Sequence, residues 1–296
     1  MNQEERTLVS FDWAMKSILR DKANFDVLEG FLSTLLEQQI TIISLLESES
    51  NQRHERDKFN RVDLLVHDSE QRIFVVEVQQ AREPHYLQRL LYGASKLVVE
   101  NIELGKPYEQ VKKVISISIL YFSFGEDEGN YLYHGWTEFY GLQNGKTLRW
   151  QKDGQTDNAE RQRAQVARHA HPDNIFPEYY LIDVEQFNNV IQSDIDEWIY
   201  FFKNSSVRND FASKNMETLR QKLDLLHMDP VERSAYERYV MDQVSARGML
   251  ESAKAEGKEE ERRLLAQRMV TKGMSTDLIG ELTGLTASEI AQIRAS

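Results

Sequence analysis

A chain of 296 residues with 41% hydrophobic content is long enough for one sizeable core and a smaller appendage, and its formal charge of −12 argues against a surface that binds nucleic acid throughout, because phosphate contacts supply most nonspecific affinity. It contains no cysteine, which excludes disulfides, Cys-based zinc sites and thiol nucleophiles and accords with a reducing compartment. Met1–Arg6 lack the basic start and apolar core of a signal peptide, and no later apolar run reaches membrane-spanning length, so a cytoplasmic protein with no membrane partner is expected.

Taken in chain order, the periodicity predicts helices over 11–20 and 25–47, the second carrying Leu28, Phe31, Leu32, Leu35 and Leu36 on one face. Two β-branched and aromatic runs follow, Arg61–Val66 and Ile73–Gln79, and the polar cluster His67–Gln71 between them signals an antiparallel hairpin. Pro84 opens an amphipathic helix in which Tyr86, Arg89 and Tyr92 recur at three-residue steps, ending near Gly105. Val114–Phe122 reads as a buried strand, Gly125–Asn130 as a turn into the strand Tyr131–His134, and Asn144-Gly145 as a further hairpin. The polar stretch Lys152–Asp173 reads as a surface loop, after which Tyr179–Val184 returns to the sheet. Residues 1–185 thus form an α/β core, a mixed central sheet flanked by helices. Residues 186–252 form a helical extension whose face of Ile195, Trp198, Ile199 and Phe202 packs on that core, continued by Leu219, Leu223 and Leu226.

Residues 253–296 begin with the charged stretch Ala253–Arg263, a solvated helix or linker, and end in a small helical module. Its pieces are Leu264–Val270, a break at Lys272-Gly273, a helix capped by Ser275, and a last helix capped at Thr286 or Ser288. The spacing is that of a helix-turn-helix, but the final helix offers DNA only Arg294, so an oligomerisation or regulatory module is an equal reading.

Chemistry concentrates in the first hairpin. Side chains alternate across a strand, which puts Glu77 and Gln79 on one face with Ile73 and Val75, and Phe74, Val76 and Val78 on the other. A turn centred near Ser69 and Glu70 sets Asp63 opposite Glu77 at roughly 5 Å. That spacing suits one hard cation, held by two carboxylates and the Val78 carbonyl; Mg²⁺ prefers such oxygen ligands. The competing reading is a half-exposed ribbon with acids on its wet face. Phe74-Val75-Val76 shows no polar alternation, however, which points to a strand buried on both sides, where an unpaired carboxylate is costly. Gln79 either orients water or is a plain surface amide. Arg53, His54, Arg56, Lys58 and Arg61, then Arg82, Arg89 and Lys96, flank these acids in sequence and are candidate phosphate guides; Arg161, Arg163 and Arg168 form a later patch. His169 and His171 share one side of any strand they form but lack the partners of a zinc site. With no glycine-rich phosphate loop and no Gly-x-Ser-x-Gly elbow, metal-assisted hydrolysis is the chemistry best supported.

Asp63, a turn, then Glu77-x-Gln79 is accompanied by Phe11–Lys16, by Arg89–Tyr92 and by Gly105–Tyr108 leading into Val114–Ile117. Glu197–Phe202 and Gly284–Ile290 complete an ordered set spanning nearly the whole chain. The set resembles the PD-(D/E)XK nucleases, specifically the recombination-promoting nuclease and transposase group, which often carries glutamine where other branches carry lysine. Val62 stands where the superfamily's proline would. The resemblance implies a restriction-endonuclease-like fold and a Mg²⁺-dependent deoxyribonuclease, with Mn²⁺ as substitute cofactor and DNA as partner, linked to recombination or mobile elements. It implies that Asp63, Glu77 and Val78 hold the metal and that Gln79 orients the attacking water. Lys16, Arg89 and Tyr92 would contact substrate, with Asp12 as an additional acid. Two other classes stay open: a catalytically weak DNA- or protein-binding module retaining the nuclease fold, and an assembly protein acting as a homo-oligomer through its C-terminal helices.

Overall fold

The computed structural model describes residues 8–17, 19, 21–46, 63–102, 107–123, 129–148, 174–224 and 228–295. Its apolar runs assemble one six-stranded sheet from β1 (Ile42–Leu45), β2 (Leu64–Asp68), β3 (Ile73–Gln79), β4 (Val114–Leu120), β5 (Leu132–Gly135) and β6 (Glu178–Asp183). The order is β1-β2-β3-β4-β6-β5, with β3, β4 and β6 mutually parallel in sequence and the remaining pairs antiparallel. The expected mixed sheet is therefore present. Its central strands explain their own composition: every residue from Ile73 to Val78 and from Val114 to Leu120 is buried, as in strands covered on both faces.

The hairpin has the expected register. Leu64 pairs with Val76 and His67 with Ile73, which carries position 63 to the level of 77. Asp68 locks the turn. Its fully buried carboxylate accepts the Glu70 and Arg72 N–H groups at 3.0 and 2.8 Å and the Arg72 Nε at 2.7 Å. A slip by one residue would break all three bonds and turn Glu77 to the opposite face.

Helices α1 (Phe11–Ser17), α2 (Phe25–Leu35) and α3 (Tyr86–Glu100) precede β4, and α4 (Asp194–Asn204) and α5 (Met216–Lys222) follow β6. The helix expected over 25–47 is corrected: α2 stops at Leu35, Glu37 turns to a φ of 51°, and residues 42–45 become the edge strand β1. The β-branched run Ile40-Thr41-Ile42-Ile43 crowds a helix and fits a pleated edge. Glu29 and Ser33 of α2 reach back to it, accepting the Ile42 and Ile40 N–H groups at 2.7 and 3.0 Å. Helix α3 likewise starts two residues after Pro84, because His85 takes a left-handed conformation at φ 60°.

Helix α3 lies over the β3 face that carries Ile73 and Val75, packing Ala94 with Leu65, Ile73, Val75 and Val114, and Tyr86 and Leu90 with Leu120 and Phe122. A second cluster joins α1, α2 and α4: Phe11, Phe31, Trp198, Phe201 and Phe202 are all fully buried, with ring centroids 4.5 to 6.5 Å apart in the pairs they form. Of the core residues expected in the 186–252 stretch, Trp198, Ile199, Phe202, Leu219 and Leu223 are buried, Ile195 is half-buried, and Leu226 lies outside the described residues.

The chain divides into two compact units, Met1–Met228 and Asp229–Ser296. The second is built from α6 (Pro230–Thr271), α7 (Thr276–Thr283) and α8 (Ala287–Ala295). Asp229 caps α6, accepting the Val231 and Glu232 N–H groups, with Pro230 in the first turn. The charged stretch 253–263 lies inside this 42-residue helix and is largely exposed. Gly273 turns the chain at φ 76°, Ser275 caps α7, and Thr286 and Glu289 cap α8 reciprocally. Ala266, Ile279, Leu285 and Ile290 form this unit's own core. Among the described residues no helix is long and apolar enough to cross a membrane.

Candidate active site

Strand alternation puts Glu77 and Gln79 on the face that α3 covers, and α3 brings Arg89 over them. Glu77 is 4% exposed. Its Oε2 accepts hydrogen bonds from Arg89 Nη2 at 3.2 Å and from Gln79 Nε2 at 3.4 Å. Asp63, just ahead of β2, accepts the Val78 N–H at 2.7 Å, so it is tied to the backbone between Glu77 and Gln79. The second Arg89 nitrogen, Nη1, reaches Glu83 at 2.5 Å, and the guanidinium lies 5.9 Å from the Tyr86 ring centre. A small pocket of about 10 Å³, the room of a single water, lies against Glu77 and Arg89, lined also by Val75, Leu90, Gly93, Ala94 and Ser116.

Burial pushes the Glu77 carboxyl above its ordinary pKa; the Arg89 charge acts against this rise and the Asp63 charge adds to it. Arg89 is itself held above its usual value, burial being outweighed by Glu83 and Glu77. Two acids therefore face one site with one guanidinium between the inner of them and Glu83. Among the described residues, no three His, Asp or Glu side chains converge to hold a metal, so a cation here would have two side-chain donors, both hard oxygen ligands.

Of the residues singled out in the sequence, the fold brings Asp63, Glu77, Gln79 and Arg89 together. Val78 meets Asp63 through its N–H, whereas the sequence reading singled out its carbonyl. Tyr92 lies one turn along α3 from Arg89 and is 39% exposed. Asp12 is 1% exposed in α1, beside the Phe11 that joins the aromatic cluster. Lys16 also lies on α1, but its side chain falls outside the described residues. So do Arg53, His54, Arg56, Lys58, Arg61, Arg161, Arg163, Arg168, His169 and His171. Arg82 is on the exposed loop after β3, and Lys96 lies 3.7 Å from Glu100 along α3.

Sequence reasoning missed Glu83. Its only local signal is a charge next to Pro84, and its partnership with Arg89 six residues on appears once α3 has docked. A second network, equally unforeseen, joins Lys113, Glu178 and His134 at the start of β4 and β6. Lys113 Nζ lies 2.7 Å from Glu178 Oε1, His134 Nε2 lies 3.0 Å from Oε2, and Lys113 donates to the Asn174 and Phe176 carbonyls at 2.6 Å. These contacts hold Glu178 below its ordinary pKa against its burial, the condition of a satisfied structural ion pair.

Compared with known proteins, residues 9–148 match a family model described as PD-(D/E)XK nuclease family transposase, a span that contains Asp63, Glu77, Gln79 and Arg89. No curated protein and no solved structure matches the chain.

Proposed function

We propose, from the match of residues 9–148 to the family model of PD-(D/E)XK nuclease family transposases, that this protein is a DNA endonuclease that hydrolyses phosphodiester bonds with a divalent metal. The observation that carries the reading is the buried Glu77 carboxylate facing Asp63, whose charges oppose each other in a site with the hard-oxygen chemistry of Mg²⁺ or Mn²⁺. Asp63, Glu77 and the Val78 carbonyl would hold the ion. When bound, a divalent cation supplies an acidified water and neutralises charge on the phosphate. Gln79, hydrogen-bonded to Glu77, would orient the attacking water; being uncharged, it would not itself balance the developing oxyanion. Arg89 would contact the scissile or neighbouring phosphate through its guanidinium, with Tyr92 and Lys16 as further substrate contacts. A link to recombination or mobile elements follows from the family alone.

A second reading, a DNA-binding module without efficient cleavage, draws on Gln79 standing where a charged lysine is commoner in the superfamily. Plasmid nicking in Mg²⁺ and in Mn²⁺, with and without EDTA, separates the two. Nicking that EDTA abolishes and that Glu77→Gln and Asp63→Asn remove supports the endonuclease. A gel shift with no cleavage in either metal supports the binding module, and cleavage undiminished in Glu77→Gln rules out this site.

A further inference from the structure

The Arg89 guanidinium stands between two carboxylates of unequal burial. Nη2 lies 3.2 Å from Glu77 Oε2 and Nη1 lies 2.5 Å from Glu83 Oε2, while the Glu77 and Glu83 side chains are 5% and 49% exposed. The inner contact falls on Oε2, the same Glu77 oxygen that receives the Gln79 amide. The outer contact is to a residue on the connection between β3 and α3. One cation thus serves an inner acid that a metal would also claim and an outer acid that solvent reaches.

We propose that Arg89 is a counter-ion latch that competes with the metal for Glu77, and that Glu83 is the positioning residue that draws the guanidinium outward and thereby sets the site's metal affinity. The proposal rests on the reading of Asp63 and Glu77 as metal ligands. Without metal, Arg89 neutralises Glu77 and holds its carboxylate in place. A divalent ion beside Glu77 repels the guanidinium, which keeps Glu83 as partner and frees Nη2 for a phosphate oxygen. Metal and DNA phosphate are then coupled: the cation that recognises the phosphate is released by the ion that activates the water, and each ligand raises the affinity for the other.

Titration of the full-length protein with MnCl₂ alone, following free Mn²⁺ by electron paramagnetic resonance, tests this without reference to activity. Arg89→Gln should raise Mn²⁺ affinity roughly tenfold, the scale of a unit charge about 5 Å from a divalent ion in a water-like dielectric. Glu83→Gln, which leaves the full guanidinium charge on Glu77, should lower it by about threefold. In the Arg89→Gln background the Glu83→Gln change should have no effect beyond about twofold, because Glu83 acts through Arg89. Arg89→Lys, which keeps the charge, should stay within roughly threefold of the native protein and guards against a folding defect in the glutamine variant. Unchanged or weaker Mn²⁺ binding in Arg89→Gln overturns the latch, as does a tenfold gain in Arg89→Lys. A Glu83→Gln effect that persists without Arg89 overturns the positioning role. Binding that is indifferent to Glu77→Gln overturns the metal site itself and the latch with it, whereas a Glu77-dependent site whose affinity ignores Arg89 overturns the latch alone.

Discussion

Glu77→Gln should leave the metal-free protein at least as stable as the native chain at neutral pH, and Arg89→Ala should not. Burial raises the Glu77 pKa in the folded state, so the native protein binds this proton more tightly than the unfolded chain does. The sign follows from linkage: the group's contribution is fully favourable below the ordinary carboxylate pKa and is lost as pH rises through the raised folded value. Glutamine keeps the shape and removes the charge. What it gives up is a charge-assisted hydrogen bond worth about 1.5–3 kcal/mol, against a desolvation penalty of several kcal/mol for the buried ion. Arg89 is not stranded, since its side chain is 27% exposed and keeps Glu83 at 2.5 Å. The expected balance is a gain of about 1 kcal/mol near neutral pH that vanishes below about pH 4.5. Arg89→Ala instead leaves Glu77 buried opposite Asp63 without its counter-ion, at a cost of about 3 kcal/mol, the lower end for a broken buried pair because Arg89 is part-exposed. Urea unfolding followed by circular dichroism in EDTA, at about pH 7.5 and about pH 4.5, measures both. A loss above about 2 kcal/mol in Glu77→Gln at the higher pH, or a smaller cost for Arg89→Ala than for Glu77→Gln, refutes the reasoning.

Asp63→Asn and Asp63→Ala should both lose cleavage by at least about 100-fold, but only alanine removes the acceptor of the Val78 N–H, costing a further 1–3 kcal/mol or so in urea unfolding; equal stability of the two variants would deny that bond its role. Gln79→Lys should retain or raise nicking activity, whereas unchanged turnover in Gln79→Ala would reduce this amide to a structural group. Mg²⁺ at about 100 times its Kd should stabilise the native protein by about 2.7 kcal/mol and Asp63→Asn hardly at all; an equal shift in the two proteins would place the ion elsewhere. A chain ending at Met228 should unfold cooperatively in denaturant, since the first unit has its own sheet and aromatic core; a broad, non-cooperative transition would show that the C-terminal helices are needed for that fold.

The hairpin was legible because its determinants are local. Two β-branched runs, a polar turn of known length and a side-chain period of two suffice to put Glu77 and Gln79 on one face and Asp63 at the level of Glu77. The absence of polar alternation in Phe74-Val75-Val76 likewise foretold a strand buried on both sides, as β3 is. The caps of the tail, Ser275 and Thr286, were readable because a cap bonds to backbone only three residues away. Where several periods coincide, local signals failed: Leu35 and Leu36 continue a helical face into Ile40–Ile43, and only pairing with β2 makes β1 a strand. The electrostatics of the site lay wholly beyond sequence. Arg89 and Glu77 are twelve residues apart on different elements, and Glu83 joins them because α3 folds back over β3, so which acid is buried, which is solvated and which cation stands between them are consequences of packing. A residue's type states what it is able to bind; burial and the approach of distant charges decide at what cost, and both exist only in the folded chain.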